Sequence, residues 1–180
     1  MRFLSLVLLC SLTGAALAAQ ARPPLETLFD QLKKADSPED AKPIEQRIGG
    51  LFLQSGSASI ELLMTRASAA IAAGDKDTAR QLLNAVTDLA PAYAEGWHAR
   101  ANWQRANNDD AGAMNSLEHV VALNPRQFVA LYELGNALED YGNKAGALAF
   151  YRRALALDPQ LEGAQKHVDA LSRDVEGQGI

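Results

Sequence analysis

The sequence predicts an all-α solenoid, and three observations carry that expectation. Leu89-Ala90-Pro91, Leu123-Asn124-Pro125 and Leu157-Asp158-Pro159 place their prolines 34 residues apart both times (125 − 91 = 159 − 125 = 34). Between those prolines the same residue types recur column by column, with no insertion. Each unit also divides into two apolar-periodic stretches around a Gly or Asn, the pattern of helix, turn, helix.

The three units run over 60–93, 94–127 and 128–161. Their eighth position is Ala67, Ala101 and Gly135, and their twentieth is Ala79, Ala113 and Ala147. Small residues there fall where the two helices of a unit cross and let their backbones approach. The fifteenth position is Gly74, Asn108 and Gly142, residue types that tolerate a positive φ at a helix end. Asp75, Asp109 and Asn143 follow and suit N-caps of the second helices. Leu83, Leu117 and Tyr151 hold the twenty-fourth position, and Leu89, Leu123 and Leu157 the thirtieth. Each proline then stops the second helix, because it cannot continue one.

These columns resemble the tetratricopeptide repeat. Unit three matches it with Leu131, Tyr132, Leu134, Gly135, Asn136, Leu138, Tyr141, Gly142, Ala147, Tyr151, Ala154 and Pro159. Trp97, Ala101, Ala113 and Pro125 carry the match in unit two, and Leu63, Ala67, Gly74, Ala79 and Pro91 in unit one. Arg66 and Arg100 depart from it at the seventh position, where leucine is commoner; the expectation is that their stems lie along the helix with the heads in solvent. The resemblance implies a right-handed α-solenoid whose first helices line a concave groove, and a non-catalytic role in binding a protein or peptide.

Both ends of the stack need covering. Residues 162–174 place Ala164, His167, Val168 and Leu171 on one face, which predicts a capping helix, with 175–180 as a flexible tail. Residues 22–58 predict an N-terminal helix pair, a degenerate repeat or cap. Leu25, Leu28, Phe29 and Leu32 share one face of its first helix. Ile44, Ile48, Leu51 and Phe52 share one face of the second. Ser37 reads as N-cap with Pro38 at the first helical position and Asp40 completing a capping-box-like turn, whereas Pro43 implies a kink or a later start. The Gly/Ser-rich run 49–59 reads as the loop that follows.

Residues 1–18 have a different character. Arg2, an apolar run from Phe3 to Leu12, and Ala16-Leu17-Ala18 form the layout of a secretory signal peptide, cleaved after Ala18 or Ala21. The apolar run is about half the length of a membrane span, so no membrane span is expected after cleavage. Cys10, the single cysteine, lies inside that run behind Leu9, which argues against a lipoprotein signal. The expected location is periplasmic, or secreted in a host without an outer membrane.

Composition narrows the function. A net charge of −5 and a pI near 5.2 disfavour a nucleic-acid partner. His98, His119 and His167 stand in separate segments with no partner at metal-ligand spacing, and no nucleotide-binding or nucleophile motif occurs. No enzyme activity, cofactor or metal is expected. By resemblance, positions two, five, nine and twelve of each first helix face the groove. In unit one these are Glu61, Met64, Ser68 and Ile71; in unit two Glu95, His98, Asn102 and Arg105; in unit three Val129, Tyr132, Asn136 and Glu139. The partner-binding candidates are Met64, Glu95, His98, Asn102, Arg105, Tyr132, Asn136 and Glu139, with Asn102 and Asn136 offering paired amides to a peptide backbone. Asn136 bonding locally, and His98 packing beside Tyr132, are the plainer alternatives. The function expected is a monomeric envelope scaffold; the alternatives are an accessory subunit of a secretion or pilus assembly, and an enzyme with an unrecognised site.

Overall fold

The computed structural model describes residues 24–177; the signal-peptide segment and residues 178–180 lie outside the described residues. Nine helices are present among them and no strand. They are α1 (Leu25–Leu32), α2 (Pro38–Phe52), α3 (Ala58–Ala72), α4 (Lys76–Leu89), α5 (Ala94–Ala106), α6 (Asp110–Leu123), α7 (Phe128–Asp140), α8 (Lys144–Leu157) and α9 (Ala164–Glu176). Helices α3 to α8 pack as three consecutive pairs, α4 touches α5, α6 touches α7, and α9 packs on α8. This is the repeating stack that the 34-residue period predicts.

The turns inside the units share one device. Gly74, Asn108 and Gly142 have φ of 73°, 62° and 78°, so the chain reverses through the left-handed region at each. One residue later Asp75, Asp109 and Asn143 accept backbone N–H bonds from Thr78, Gly112 and Gly146 at 3.1, 3.0 and 3.0 Å. At the crossings Ala67, Ala101, Ala79, Ala113, Ala147 and Gly135 are all buried. Gly135 leaves no room for a side chain, since a Cβ there would lie 2.7 Å from Tyr151 Cε1.

The thirtieth column does not behave as core throughout. Leu89 is 70% exposed and Leu123 41%, whereas Leu157 packs into a cluster with the N-terminal pair. The cluster joins Leu28, Phe29, Leu32, Ala41 and Ile48 to Phe128, with Val129, Leu157 and Leu161 against it. So α1 and α2 dock on unit three, across the rim of the groove where α7 begins. Arg126 secures them: its guanidinium sits 3.8 Å over the Phe29 ring and pairs with Glu26.

Several local expectations are corrected. Helix α2 starts at Pro38 and passes through Pro43 without ending, because that residue is exposed and loses only one backbone bond. It also continues through Gly49 and Gly50 to Phe52, which leaves only 53–57 as linker, with Gly56 at φ 73°. The C-terminal helix begins after Gly163, in the left-handed region at φ 80°, and runs to Glu176 rather than fraying from residue 175; Val175 packs on the cluster of Ala147, Leu148, Tyr151 and Leu171. Arg100 is half-buried rather than solvated, resting 5.4 Å from the Trp97 ring with Nη1 reaching Thr87 Oγ1 at 3.5 Å. No helix among the described residues is long and apolar enough to cross a membrane.

Two glycines give a paired test. Gly135→Ala should lower stability by about 1–3 kcal/mol through overpacking against Tyr151. Gly50→Ala, in a helix with nothing within 4 Å of the added methyl, should raise it by about 0.5–1 kcal/mol. Thermal denaturation of the two variants checks both signs.

Candidate functional site

Helices α5 and α7 lie side by side on the inner face, and a ladder of polar contacts joins them. It starts inside. Gln127 Nε2 donates to Glu95 Oε1, and both residues are buried. His98 comes next, with Nδ1 3.3 Å from Glu95 Oε2 and Nε2 2.8 Å from Glu133 Oε2. Glu133 Oε1 accepts from Arg105 Nη2 at 3.4 Å, and the same nitrogen is 3.5 Å from Asn102 Oδ1. The spacing that brings these groups together is helical: Glu95, His98, Asn102 and Arg105 fall three or four apart along α5, on one face.

With a carboxylate on each ring nitrogen, both nitrogens donate and His98 is an imidazolium. Burial alone would push its pKa down; the hydrogen bonds and charges of Glu133 and Glu95 outweigh that and raise it from 6.5 to about 9. His98 thus ties α5 to α7 as a structural cation and does not sit beside Tyr132 as a simple packing ring.

A second cluster forms where α7 meets α9. The Tyr151 hydroxyl is 2.7 Å from Asn136 Oδ1 and 2.8 Å from Glu139 Oε2. His167 Nδ1 is 2.9 Å from the same Glu139 oxygen, and its ring stacks on Tyr151 at 4.7 Å. Burial, together with Glu139, holds the Tyr151 hydroxyl well above the usual phenol range, so it remains a donor. Tyr132 completes the group at 5.5 Å from Tyr151 and 5.9 Å from His167.

The eight candidates therefore separate. Glu95 and His98 are engaged between helices; Tyr132, Asn136 and Glu139 are engaged at the α7–α9 junction. Asn136 bonds Tyr151 through Oδ1 and is half-buried, so of the expected amide pair Asn102 alone is exposed. Met64 is half-buried on α3. Asn102 and Arg105 stay exposed, Arg105 by 56%, along a ridge on α5.

A hollow opens on each side of that ridge. Toward unit one, a mostly apolar cavity of about 370 Å³ is lined by Ile71, Ala99, Asn102, Trp103 and Ala106. Toward unit three, a cavity of about 290 Å³ with a mixed lining is formed by Arg105, Glu133, Asn136 and Tyr141 together with Leu117 and Ala137. Trp103, Glu133 and Tyr141 were missed by a reading confined to four positions per helix. Glu133, at position six, carried no signal except that it faces His98 once α5 and α7 pack. Among the described residues no three His, Cys, Asp or Glu side chains converge to hold a metal ion.

The sign of the pH effect at His98 is fixed by its raised pKa. Its contribution to stability is fully present below pH 6.5 and is lost as pH rises through about 9. Urea unfolding should show a loss on the order of 2–3 kcal/mol across that window, and His98→Gln should remove most of this slope.

The comparisons with known proteins agree with this architecture. Residues 128–161 match the family model described as tetratricopeptide repeat. A TPR repeat-containing protein of Rhizobium etli is 34% identical over 153 residues, covering 85% of this chain and 75% of its relative. Among solved structures, the first TPR of Spaghetti (RPAP3) bound to an HSP90 peptide superposes with a TM-score of 0.58 at 21% identity, covering 65% of this chain and 93% of that one. The crystal structure of MamA protein also gives 0.58, at 18% identity, covering 86% and 82%. At those identities the structures speak for the fold, whereas the Rhizobium relative speaks for descent. The chain belongs to the tetratricopeptide-repeat family.

Proposed function

We propose that this protein is a non-catalytic scaffold that binds a protein or peptide partner in the cell envelope, through the part of the groove around Asn102 and Arg105. The observation that carries this reading is the exposed α5 ridge between one mostly apolar hollow and one with a mixed polar and apolar lining. A partner segment laid across it meets an apolar seat, an amide that both donates and accepts, and a guanidinium that among the described residues makes two long contacts, at 3.4 and 3.5 Å. The RPAP3 neighbour, whose structure holds a peptide, supports peptide binding by a stack of this shape. Export is supported by the signal-like layout of residues 1–18.

A second reading, an accessory subunit of a larger assembly, draws on one feature. Among the described residues, the outer face of α3 leaves Leu62 and the small residues Ala58, Ala69 and Ala72 exposed. The free scaffold should elute as a monomer from its native envelope; the subunit should elute at high mass.

Cross-linked co-purification from the native envelope tests the groove. Asn102→Ala/Arg105→Ala should reduce capture of the partner by roughly tenfold or more, as hot-spot truncations do, with helicity unchanged. A partner captured equally by wild type and double variant would place binding on another face.

A further inference from the structure

The N-terminal pair meets the stack at a pair of carboxyl groups that the repeat does not need. Asp158, at the end of α8, has no exposed surface, and its Oδ1 accepts the Gln160 backbone N–H at 3.1 Å. Its Oδ2 has no hydrogen-bond partner among the described groups as they stand. Unit two makes the same turn with an uncharged residue, the Arg126 N–H bonding Asn124 Oδ1 at 3.2 Å. Unit one makes it with Ala90, so the turn requires neither an Asx oxygen nor a charge. What unit three has in addition is α2, whose Glu45 carboxyl lies within hydrogen-bond reach of the Asp158 carboxylate.

We propose that α1 and α2 form a displaceable cover on the groove rim, latched by a proton shared between Glu45 and Asp158 and released when that proton is lost. The inference rests on the groove being the working surface. Beneath the cover lie Phe128, Val129, Leu157 and Leu161, and its C-terminal half faces Glu95 and His98 across a cavity of about 340 Å³. Undocking would open positions two and five of the groove. The cover is joined to α3 by the short linker 53–57, with Gly56 at a φ of 73°. Leu89 and Leu123, the counterparts of Leu157, stand exposed in units one and two, so this column does not need a cover in every unit.

The charges around the latch favour this behaviour. Burial first, then the Asp158 charge and hydrogen bond, raise the Glu45 pKa from 4.5 to about 7; Lys42 on α2 opposes this and Glu162, beyond α8, adds to it. Burial also raises Asp158, against the Gln160 N–H and Glu45 bonds that lower it. Glu39 and Lys42 border the same solvent-filled hollow, which gives the proton a path to water. The remaining fastenings are the Glu26–Arg126 pair, Gln160 Nε2 donating to the Ala35 carbonyl at 3.0 Å, and the Tyr93 hydroxyl donating to the Leu53 carbonyl at 2.8 Å. Tyr93 is raised to about 12 by burial and the charges of Glu95 and Glu61, so it stays protonated throughout. A carboxyl raised in the docked state stabilises docking fully below pH 4.5 and loses that contribution as pH rises through about 7.

Hydrogen exchange of the full mature chain, corrected for intrinsic rates, tests this without any partner. Between about pH 5 and about pH 8, protection of the α2 amides should fall by roughly tenfold or more while α7 and α8 keep theirs. Glu45→Gln and Asp158→Asn each supply an amide donor to the remaining carboxylate and retain the turn, so each should hold α2 protection within about twofold over that range. Flat protection in the wild type, a wild-type slope in both variants, or parallel loss in α7 and α8 would each overturn the latch. None of those results bears on whether the groove binds a partner, which the Asn102/Arg105 capture decides separately.

Discussion

Everything else in this molecule depends on how closely the two helices of each unit approach. Ala67 and Ala79, Ala101 and Ala113, and Gly135 and Ala147 are all buried small residues, one on each helix of a unit. Helices that pack closely favour a restricted set of crossing angles, and a pair geometry repeated unit after unit generates a stack with an inner and an outer face. Gly135 shows the limit of the constraint. The Tyr151 ring fills the space a side chain would need, and its hydroxyl then reaches Asn136 and Glu139 on the neighbouring helix. One missing methyl thus sets both the backbone distance and the polar cluster above it.

A stack made this way must also hold its units in register, and this protein uses its inner face to do so. The Gln127–Glu95–His98–Glu133 ladder runs between α5 and α7 with its charges largely out of water. Removing one member would leave an uncompensated charge behind, so such networks fix geometry more than they add stability. The groove is consequently divided in use. Its α7 stretch is engaged with α9, its rim at the start of α7 lies under α1 and α2, and Asn102 and Arg105 in the C-terminal half of α5 remain exposed.

The fold was legible because a repeat states its geometry three times. The Gly or Asn reversals, the Asx caps and the small crossings each appear as a column, and each column has one physical cause that acts within a unit. The candidate site was legible only in part. Periodicity along α5 places Glu95, His98, Asn102 and Arg105 on one face, but which of them is consumed depends on Glu133 and Gln127, which arrive from α7 and the turn before it. Asn136 looked like a partner for a peptide because Tyr151, fifteen residues away, cannot be matched to it by spacing. The docking of α1 and α2 on unit three was the least legible of all. Their apolar faces announce that they are covered, while Glu26–Arg126 and Ala35–Gln160 join residues 100 and 125 positions apart.

The claim on which this account stands is that the open part of the groove, on α5, is where a partner binds. The direct measurement is site-specific photo-cross-linking in the native envelope, with the reactive amino acid placed at Asn102 in one protein and at Glu118, exposed on α6, in another. The account predicts a discrete adduct from position 102 and none from 118. An adduct from 118 with none from 102 would contradict it and move the binding surface to the outside of the stack.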